Sequence, residues 1–471
     1  MAFLIGGANS AADTGYDIEN SWRGNGSNSY FNRTLETPTS RRIWTFSAWT
    51  KRVPGTDSNL MSFGPTAQFN DFRFNANDSL AWHIDDAVNG SSTQLTPTRL
   101  FRDPSAWMHI VLAVDTTQGT DTNRAKIYIN NVQQTLTSVF PAEDYDFPGL
   151  LADQVTQVGT RTGNDFGYTT GYLADVAFVD GTQLTPSSFG EADEDSGIWK
   201  PKEPDVTWGN SGFFLEFKQT GTSADASGKG ADTSGNGNHF DDNNADAYDI
   251  TTDTPTNNFA TINSIWAGLS ARVAPTLTEG NTQVDHGSTD SGAWSTIIPA
   301  NGKWYAEFKA TNTSSNTMGI AVQNLTDGEG SWRADTYQNA KGYMFFMTGN
   351  TGNNGGYTTS YGSAWSDDDI IGVAMDLTNG KLYFAINNTW QNSGDPTSGA
   401  TGTGAAYSID AGDFHALGSG YKSDLRGQWN FGNPPYANSS DAADADGYGA
   451  FEFAPPSGYF ALCTKNLAEY G

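Results

Sequence analysis

At 471 residues the chain is too long for one sandwich of about 100 to 250 residues, so two core-forming domains are expected. Only 37% of residues are apolar, but 27 Phe, 19 Tyr and 14 Trp can fill interiors, which excludes wholesale disorder. A net charge of −28 opposes polyanions and excludes nucleic acid and anionic membranes as partners, and a single cysteine, Cys463, excludes an internal disulfide or a cysteine zinc cluster. The acidity serves solubility first, with multivalent cation binding as the functional alternative. No stretch approaches the roughly 20 apolar residues of a membrane span, so no membrane insertion is expected. The start of the chain shows a short apolar run, Ala2 to Ile5, without a basic region. The expectation is synthesis in a cytoplasm without a signal peptide.

In chain order, 53 Gly and abundant Asn, Thr, Ser and Asp describe short strands joined by turns. Trp44, Phe46 and Ala48 alternate with polar residues, as do Met108, Ile110, Leu112 and Val114. That period of two marks half-buried strands. Ile127, Ile129 and Leu173 to Val179 continue the pattern, and Asn89-Gly-Ser-Ser92 and Asp180-Gly-Thr-Gln183 supply turn chemistry. Leu184 to Phe189 suits one short helical turn, and Gly212-Phe-Phe-Leu-Glu-Phe217 reads as the strand closing the first domain. The boundaries expected are a domain over 1–220, a Gly/Asp/Asn-rich connector over 221–255 and a second domain over 256–471.

The second half repeats the pattern at Trp304 to Phe308, Met318 to Val322, Gly342 to Met347, Ile370 to Leu377 and Lys381 to Ile386. Asn379-Gly380 between the last two suits a primed two-residue hairpin turn. The fold class is all-β: two antiparallel jelly-roll sandwiches with less than about a fifth of residues helical. Trp44, Trp49, Trp107, Trp304, Phe384 and Phe431 are expected in the cores.

Three strings carry a resemblance in the first half: Trp44-Thr-Phe-Ser-Ala-Trp-Thr-Lys51, Asp103-Pro-Ser-Ala-Trp-Met-His-Ile-Val-Leu-Ala-Val-Asp115 and Lys126-Ile-Tyr-Ile-Asn-Asn131. With Gly171 to Leu184 as closing strand, they resemble the laminin-G and concanavalin-A-like jelly rolls. Gly302-Lys-Trp-Tyr-Ala-Glu-Phe308, Gly319-Ile-Ala-Val322, Asp369 to Leu377 and Trp429-Asn-Phe-Gly432 resemble a SPRY module. The whole arrangement, with Asp232 to His239, Asp253 to Asn263 and Pro455 to Cys463, resembles virion-associated or tail-fibre-like proteins of tailed bacteriophages. That resemblance implies a structural protein on the virion exterior, in head or tail. Its partners would be other virion proteins and host-surface glycans, and the chain would self-associate, preferably as a trimer. The tail from Gly447 to Tyr470 either mediates that contact or packs on its own module.

Glycan binders stack sugars on flat rings while Asn and Asp bond the hydroxyls. Tyr168 and Tyr172, near Asn164-Asp165, are candidates in the first domain. Trp332, Tyr337, Tyr357, Tyr361 and Trp365 are candidates in Gly/Asn/Ser-rich loops of the second. Asp232, Ser234, Asn236 and Asn238 alternate like the oxygen donors of a calcium loop, although position twelve is Asn243 rather than Glu. Calcium is therefore a possible cofactor there, against a plain Gly/Asn turn.

His83, His109, His239, His286 and His415 show no metal-ligand spacing, and His109 reads as a satisfied strand residue. A concanavalin-like glucanase would need Glu-x-Asp-x-x-Glu on one strand. The nearest string, Glu191-Ala-Asp-Glu-Asp-Ser196, has Ser in the last place. Binding without catalysis is expected. The alternatives are a glycan hydrolase and a purely architectural decoration protein.

Overall fold

The computed structural model describes residues 4–5, 15–86, 91–137, 140–163, 165–265, 275–287, 291–313, 319–326, 340–420 and 425–471. The chain is nearly all β, with 41% strand and 6% helix, in several antiparallel sheets. Two compact units form, one over Ala11–Thr256 and one over Asn257–Gly471 together with Met1–Ser10.

In the first unit one sheet runs in the order Val132–Gln133, Ala125–Ile129, Met108–Asp115, Ile43–Lys51, Tyr172–Asp180, Ser21–Arg23, Ile250–Thr251. The second runs Leu136–Thr137, Ser91–Pro97, Leu80–Asp86, Asn70–Phe74, Ser58–Phe63, Val155–Val158, Tyr30–Thr34, Asp241–Asn243. Bulky rings close the gap between them. Trp44 meets Phe63 and Trp82 edge-on at 5.5 Å each, and Phe46 meets Phe72 at 5.8 Å. The few apolar residues suffice because rings bury so much area each.

Two features depart from the sequence reading. Residues 221–255 are not a free connector: Asp241–Asn243 and Ile250–Thr251 hydrogen-bond as the edge strands of the two sheets. The Asp-Asp-Asn composition of Asp241–Asn243 suits a short edge strand, and Ile250–Thr251 is shorter still. The strands of the first sheet are also buried on both faces rather than half-buried. Val111, Ala113, Ala177 and Val179 point away from the core and are covered by Phe189 and Phe214, with Leu184, Val206 and Trp208 around them. The stretch after Tyr172–Asp180 thus covers the outer face, with a 3₁₀ turn at Pro186–Ser188, before Phe213–Leu215 joins the same sheet beside Tyr172–Asp180.

The second unit uses the same plan. One sheet includes Gln283–Asp285, Leu425–Asn430, Lys303–Thr313, Ile370–Asp376 and Lys381–Ile386, and the other includes Gly292–Trp294, His415–Gly420, Gly319–Asn324 and Gly342–Phe346. The hairpin at 376–381 is a four-residue loop, because Asp376 pairs with Lys381 across Leu377 to Gly380. The Asp376 carboxylate accepts both the backbone and side-chain N–H of Asn379, at 2.9 and 2.8 Å, and that capping stabilises the longer loop over the expected two-residue turn.

The C-terminal tail packs on its own unit. Phe460–Ala461 lies parallel to Trp304–Tyr305, and the helix Thr464–Tyr470 buries Leu467. Phe451, Tyr459 and Cys463 cover Tyr305 and Tyr383 on the sheet's outer face. Of the six aromatic residues expected in cores, Trp44, Trp49, Trp304, Phe384 and Phe431 are buried, and Trp107 is half-buried.

Candidate functional site

Along Tyr30–Thr34 the period of two sends Phe31 into the core and leaves Tyr30 and Asn32 on the outer face of the second sheet. Asn243 lies opposite Tyr30 in the neighbouring strand and donates from its side-chain amide to Asn32 Oδ1. Tyr168 reaches the same place from the loop after Val155–Val158, with its ring 6.1 Å from that of Tyr30 at an interplanar angle of 41°. Both rings are half-buried. Burial, then the Asp165 carboxylate, raises both phenols above their ordinary value, so they remain neutral hydroxyls.

The loops carrying these rings are held tightly. Asn25 Oδ1 accepts the backbone N–H groups of Ser27, Asn28 and Ser29 at 2.9 to 3.1 Å, and Asn244 donates to the Asn28 carbonyl at 3.2 Å. Asn59 donates from its side chain to the Phe166 carbonyl at 2.7 Å and from its backbone to Gly167 O at 2.8 Å. Phe166 is exposed, with the Arg73 guanidinium 5.0 Å and that of Arg161 4.7 Å from its ring centre. The rim therefore offers two neighbouring tyrosines and a border of Asn side chains in a fixed arrangement, with Phe166 two residues before Tyr168 packed on the two guanidiniums. Rings of this kind take the apolar face of a sugar, and amides bond its hydroxyls.

Beneath the rim a polar row crosses the sheet in register: Asn32, Gln157, Ser62, Asp71, His83, Gln94. Asp71 is buried and paired with Arg73. Burial raises its carboxyl against the pull of Arg73 and Arg161, while burial, then those same cations, lowers His83 to about 4.

Tyr168 is the one first-domain candidate at a surface. Tyr172 is buried in Tyr172–Asp180 and packs beside Trp107 and Lys51, so it has no face for a ligand. In the second unit, Tyr361 packs edge-on to Phe345, and Trp365 is buried with its indole N–H donating to Phe346 O at 3.0 Å. Both are core residues, contrary to expectation. Tyr357 is exposed and stacks on Phe346 at 5.1 Å. Trp332 and Tyr337 lie outside the described residues. Tyr30 escaped the sequence reading, although the Asn25-Gly-Ser-Asn-Ser stretch before it has the same composition as the loops that were singled out.

The suspected calcium loop is a turn staple. Asp232 accepts Phe214 N, Ser234 N, Ser234 Oγ and Asn238 N at 2.7 to 2.9 Å. The Asn236 amide is spent on Gly209 and Gly212 carbonyls, and Asn238 Oδ1 accepts Arg33 Nη2 at 2.6 Å. A guanidinium among the donors opposes a divalent cation, and no His/Cys/Asp/Glu group of metal-binding geometry occurs among the described residues.

Three further places bear on catalysis. Glu191-Ala-Asp-Glu-Asp-Ser196 forms one arm and the turn of a hairpin, with Asp193 accepting Ser196 N and Oγ and Lys200 paired to Glu191 and Asp193. Ser47 and His109 approach at 2.8 Å, but Trp199 donates its indole N–H to His109 Nδ1 at 3.0 Å. Burial lowers this imidazole to about 3, so it is neutral, its proton sits on Nε2, and it donates to Ser47 instead of activating it. A cleft of about 310 Å³ between Thr122 and Phe140 is lined by Thr, Gln, Ala, Leu and Phe side chains, none of them ionisable.

No protein-family model matches the chain, and no curated protein matches it. Among solved structures, domains LG4-5 of the mouse laminin α1 chain align over 89% of this chain and 90% of that one, with 9% identity and a TM-score of 0.30. A candidate carbohydrate-binding protein from Bacteroides ovatus aligns over 48% of this chain and 58% of its own, with 14% identity and a TM-score of 0.31. The SPRY domain of human HERC1 aligns over 34% of this chain and 92% of its own, with 14% identity and a TM-score of 0.26.

Proposed function

We propose that the chain is a glycan-binding structural protein on the exterior of a tailed-bacteriophage particle, and that sugar contact occurs at the Tyr30–Tyr168 rim. The observation that carries the sugar reading is the pair of half-exposed tyrosines fixed by amide-rich loops beside Phe166. Preorganised rings keep the ordering cost of binding low. The particle assignment rests on the order of motifs along the chain, with a jelly-roll first half, a SPRY-like second half and the Pro455 to Cys463 close. Copies on one particle, as trimers or at repeated positions, raise weak individual contacts by avidity. The His109 tautomer and the hairpin at Glu191 favour this binding role over a hydrolase.

A glycan array with the wild-type chain and the Tyr30→Ala, Tyr168→Ala double variant tests the sugar reading. Retained, selective binding by the folded double variant overturns the rim assignment, and no binding by the wild type overturns the glycan role. Mass spectrometry of purified virions tests the particle role, which fails if the chain is absent.

A further inference from the structure

Inside the first unit, Lys51 Nζ lies 2.7 Å from Asp253 Oδ2, and the two side chains are 2% and 0% exposed. Lys51 ends the central strand Ile43–Lys51, and Asp253 follows the edge strand Ile250–Thr251. The other carboxylate oxygen, Oδ1, accepts the Trp107 indole N–H at 3.0 Å. The Tyr172 ring centre is 5.3 Å from Nζ. Ser21 Oγ donates to the Asp253 carbonyl at 2.6 Å and fixes the backbone. An amine and a carboxyl are thus held in contact in a closed, partly aromatic site, with a hydrogen-bond donor already on the oxygen that would take charge if the amine attacked.

A buried ion pair of this kind is costly to desolvate. Burial lowers Lys51, against the attraction of Asp253 and Asp103, which brings the neutral amine within reach. With one cysteine in the chain, no disulfide can cross-link this unit internally.

We propose that Lys51 and Asp253 form an intramolecular isopeptide bond, a covalent clamp between the central strand of the first unit and its final segment. The ammonium passes a proton to the carboxylate, leaving an amine and a carboxylic acid. Nζ attacks Cγ, and the developing negative charge on Oδ1 is held by the Trp107 N–H. A second proton from nitrogen reaches the Oδ2 hydroxyl, the Cγ–Oδ2 bond breaks and water departs. The ammonium and carboxylate become one secondary amide and one water, with no oxidant or cofactor required. Proximity supplies most of the acceleration, because both reactants are held by the fold.

Proximity alone is not the criterion. Lys229 and Asp242 in the same unit are 2.6 Å apart, and Asp242 Oδ1 likewise accepts an N–H, from Ala245 at 3.1 Å; the difference is that Lys229 Nζ is also directed at Gly221 O and that Asp242 is only half-buried, on an edge strand. That pair serves as the internal control.

Intact-mass spectrometry of the purified full chain is the test. The expected mass is lower than the sequence mass by one water, about 18 Da, and peptide mapping should recover a branched species joining Lys51 to Asp253. Lys51→Arg, which keeps the charge but cannot form this amide, should restore the full mass. Trp107→Phe, which keeps the ring and removes the N–H, should leave a larger unreacted fraction at early times after synthesis. A wild-type chain of full mass overturns the proposal, as does a water loss that maps to Lys229 and Asp242. Neither result depends on any variant folding.

Discussion

Two loops of similar composition meet opposite fates. The loop bearing Tyr168 in the first unit and the stretch bearing Tyr361 and Trp365 in the second are both rich in Gly, Asn, Ser and Thr. Tyr168 stays half-exposed beside Tyr30, whereas Tyr361 and Trp365 are buried against Phe345 and the Phe346 carbonyl. An indole is buried without penalty when its one donor finds an acceptor, and Phe346 O provides it. Composition marks a loop, but the partners its rings find decide whether the loop binds or packs.

The contrast is sharpest at Trp365. Trp365→Ala is expected to cost about 3 to 5 kcal/mol through lost burial and a residual cavity, read as a shift in chemical denaturation of the full chain, with glycan binding in the still-folded fraction unchanged. Binding lost in step with nothing but this residue would turn Trp365 back into a ligand platform.

The next effect is pH-dependent and is read at Glu307 in the second unit, beside a decline of the same sign from Asp175 in the first, which burial raises to about 7. Glu307 is buried and accepts Tyr305 OH, Asn430 Nδ2 and the backbone N–H groups of Glu452 and Phe453 at 2.8 to 3.1 Å. Burial raises it from 4.5 to about 7 against those hydrogen bonds. The folded state therefore holds a proton that the unfolded chain has released between these values. Stability present below about pH 4.5 declines as pH rises through 7, by about 3 kcal/mol in all. Glu307→Gln should reduce that decline in denaturation curves taken from pH 5 to 8, and an unchanged slope would remove Glu307 as a source of it.

A smaller loss is expected at the turn staple. Asp232→Ala leaves the Phe214 and Asn238 N–H groups without their acceptor and should cost about 1 to 3 kcal/mol. Calcium addition and chelation should leave the wild-type Tm unchanged, and a calcium-dependent rise would restore the ion site. Smallest in stability is the rim itself: Tyr168→Ala should change denaturation by less than about 1 kcal/mol while abolishing glycan retention, the reverse of Trp365→Ala.

Much of the architecture was legible in advance because apolar alternation is a local signal: Lys381–Ile386 is a strand over the residues expected, and Trp44 and Trp304 are core. The cover over the outer sheet faces was not legible. Phe189, Phe451 and Tyr459 sit outside any regular strand, with no period, and their burial depends on long-range packing over outer sheet faces. For the same reason Tyr172 read as a rim residue, since nothing local announces a strand covered on both sides. Tyr30 was hidden in the opposite way. Its strand alternates as it should, but only the arrival of Tyr168 and Asn243 from distant sequence makes it part of a site.

The edge strands contributed by Asp241–Asn243 and Ile250–Thr251 also govern the order of events during synthesis. Ser21 Oγ and Thr251 Oγ1 are hydrogen-bonded across 230 positions of sequence. At about 5 to 20 residues per second, the first strand waits roughly 10 to 50 s for its last partner to leave the ribosome. Until then Ser21–Arg23 and Tyr30–Thr34 lack the neighbours that cap their sheets, and so high a contact order makes closure slow. Folding of the first unit is consequently a late event gated by translation. The nascent chain should be most prone to aggregation, and most responsive to chaperones, while its early strands stand without these final partners.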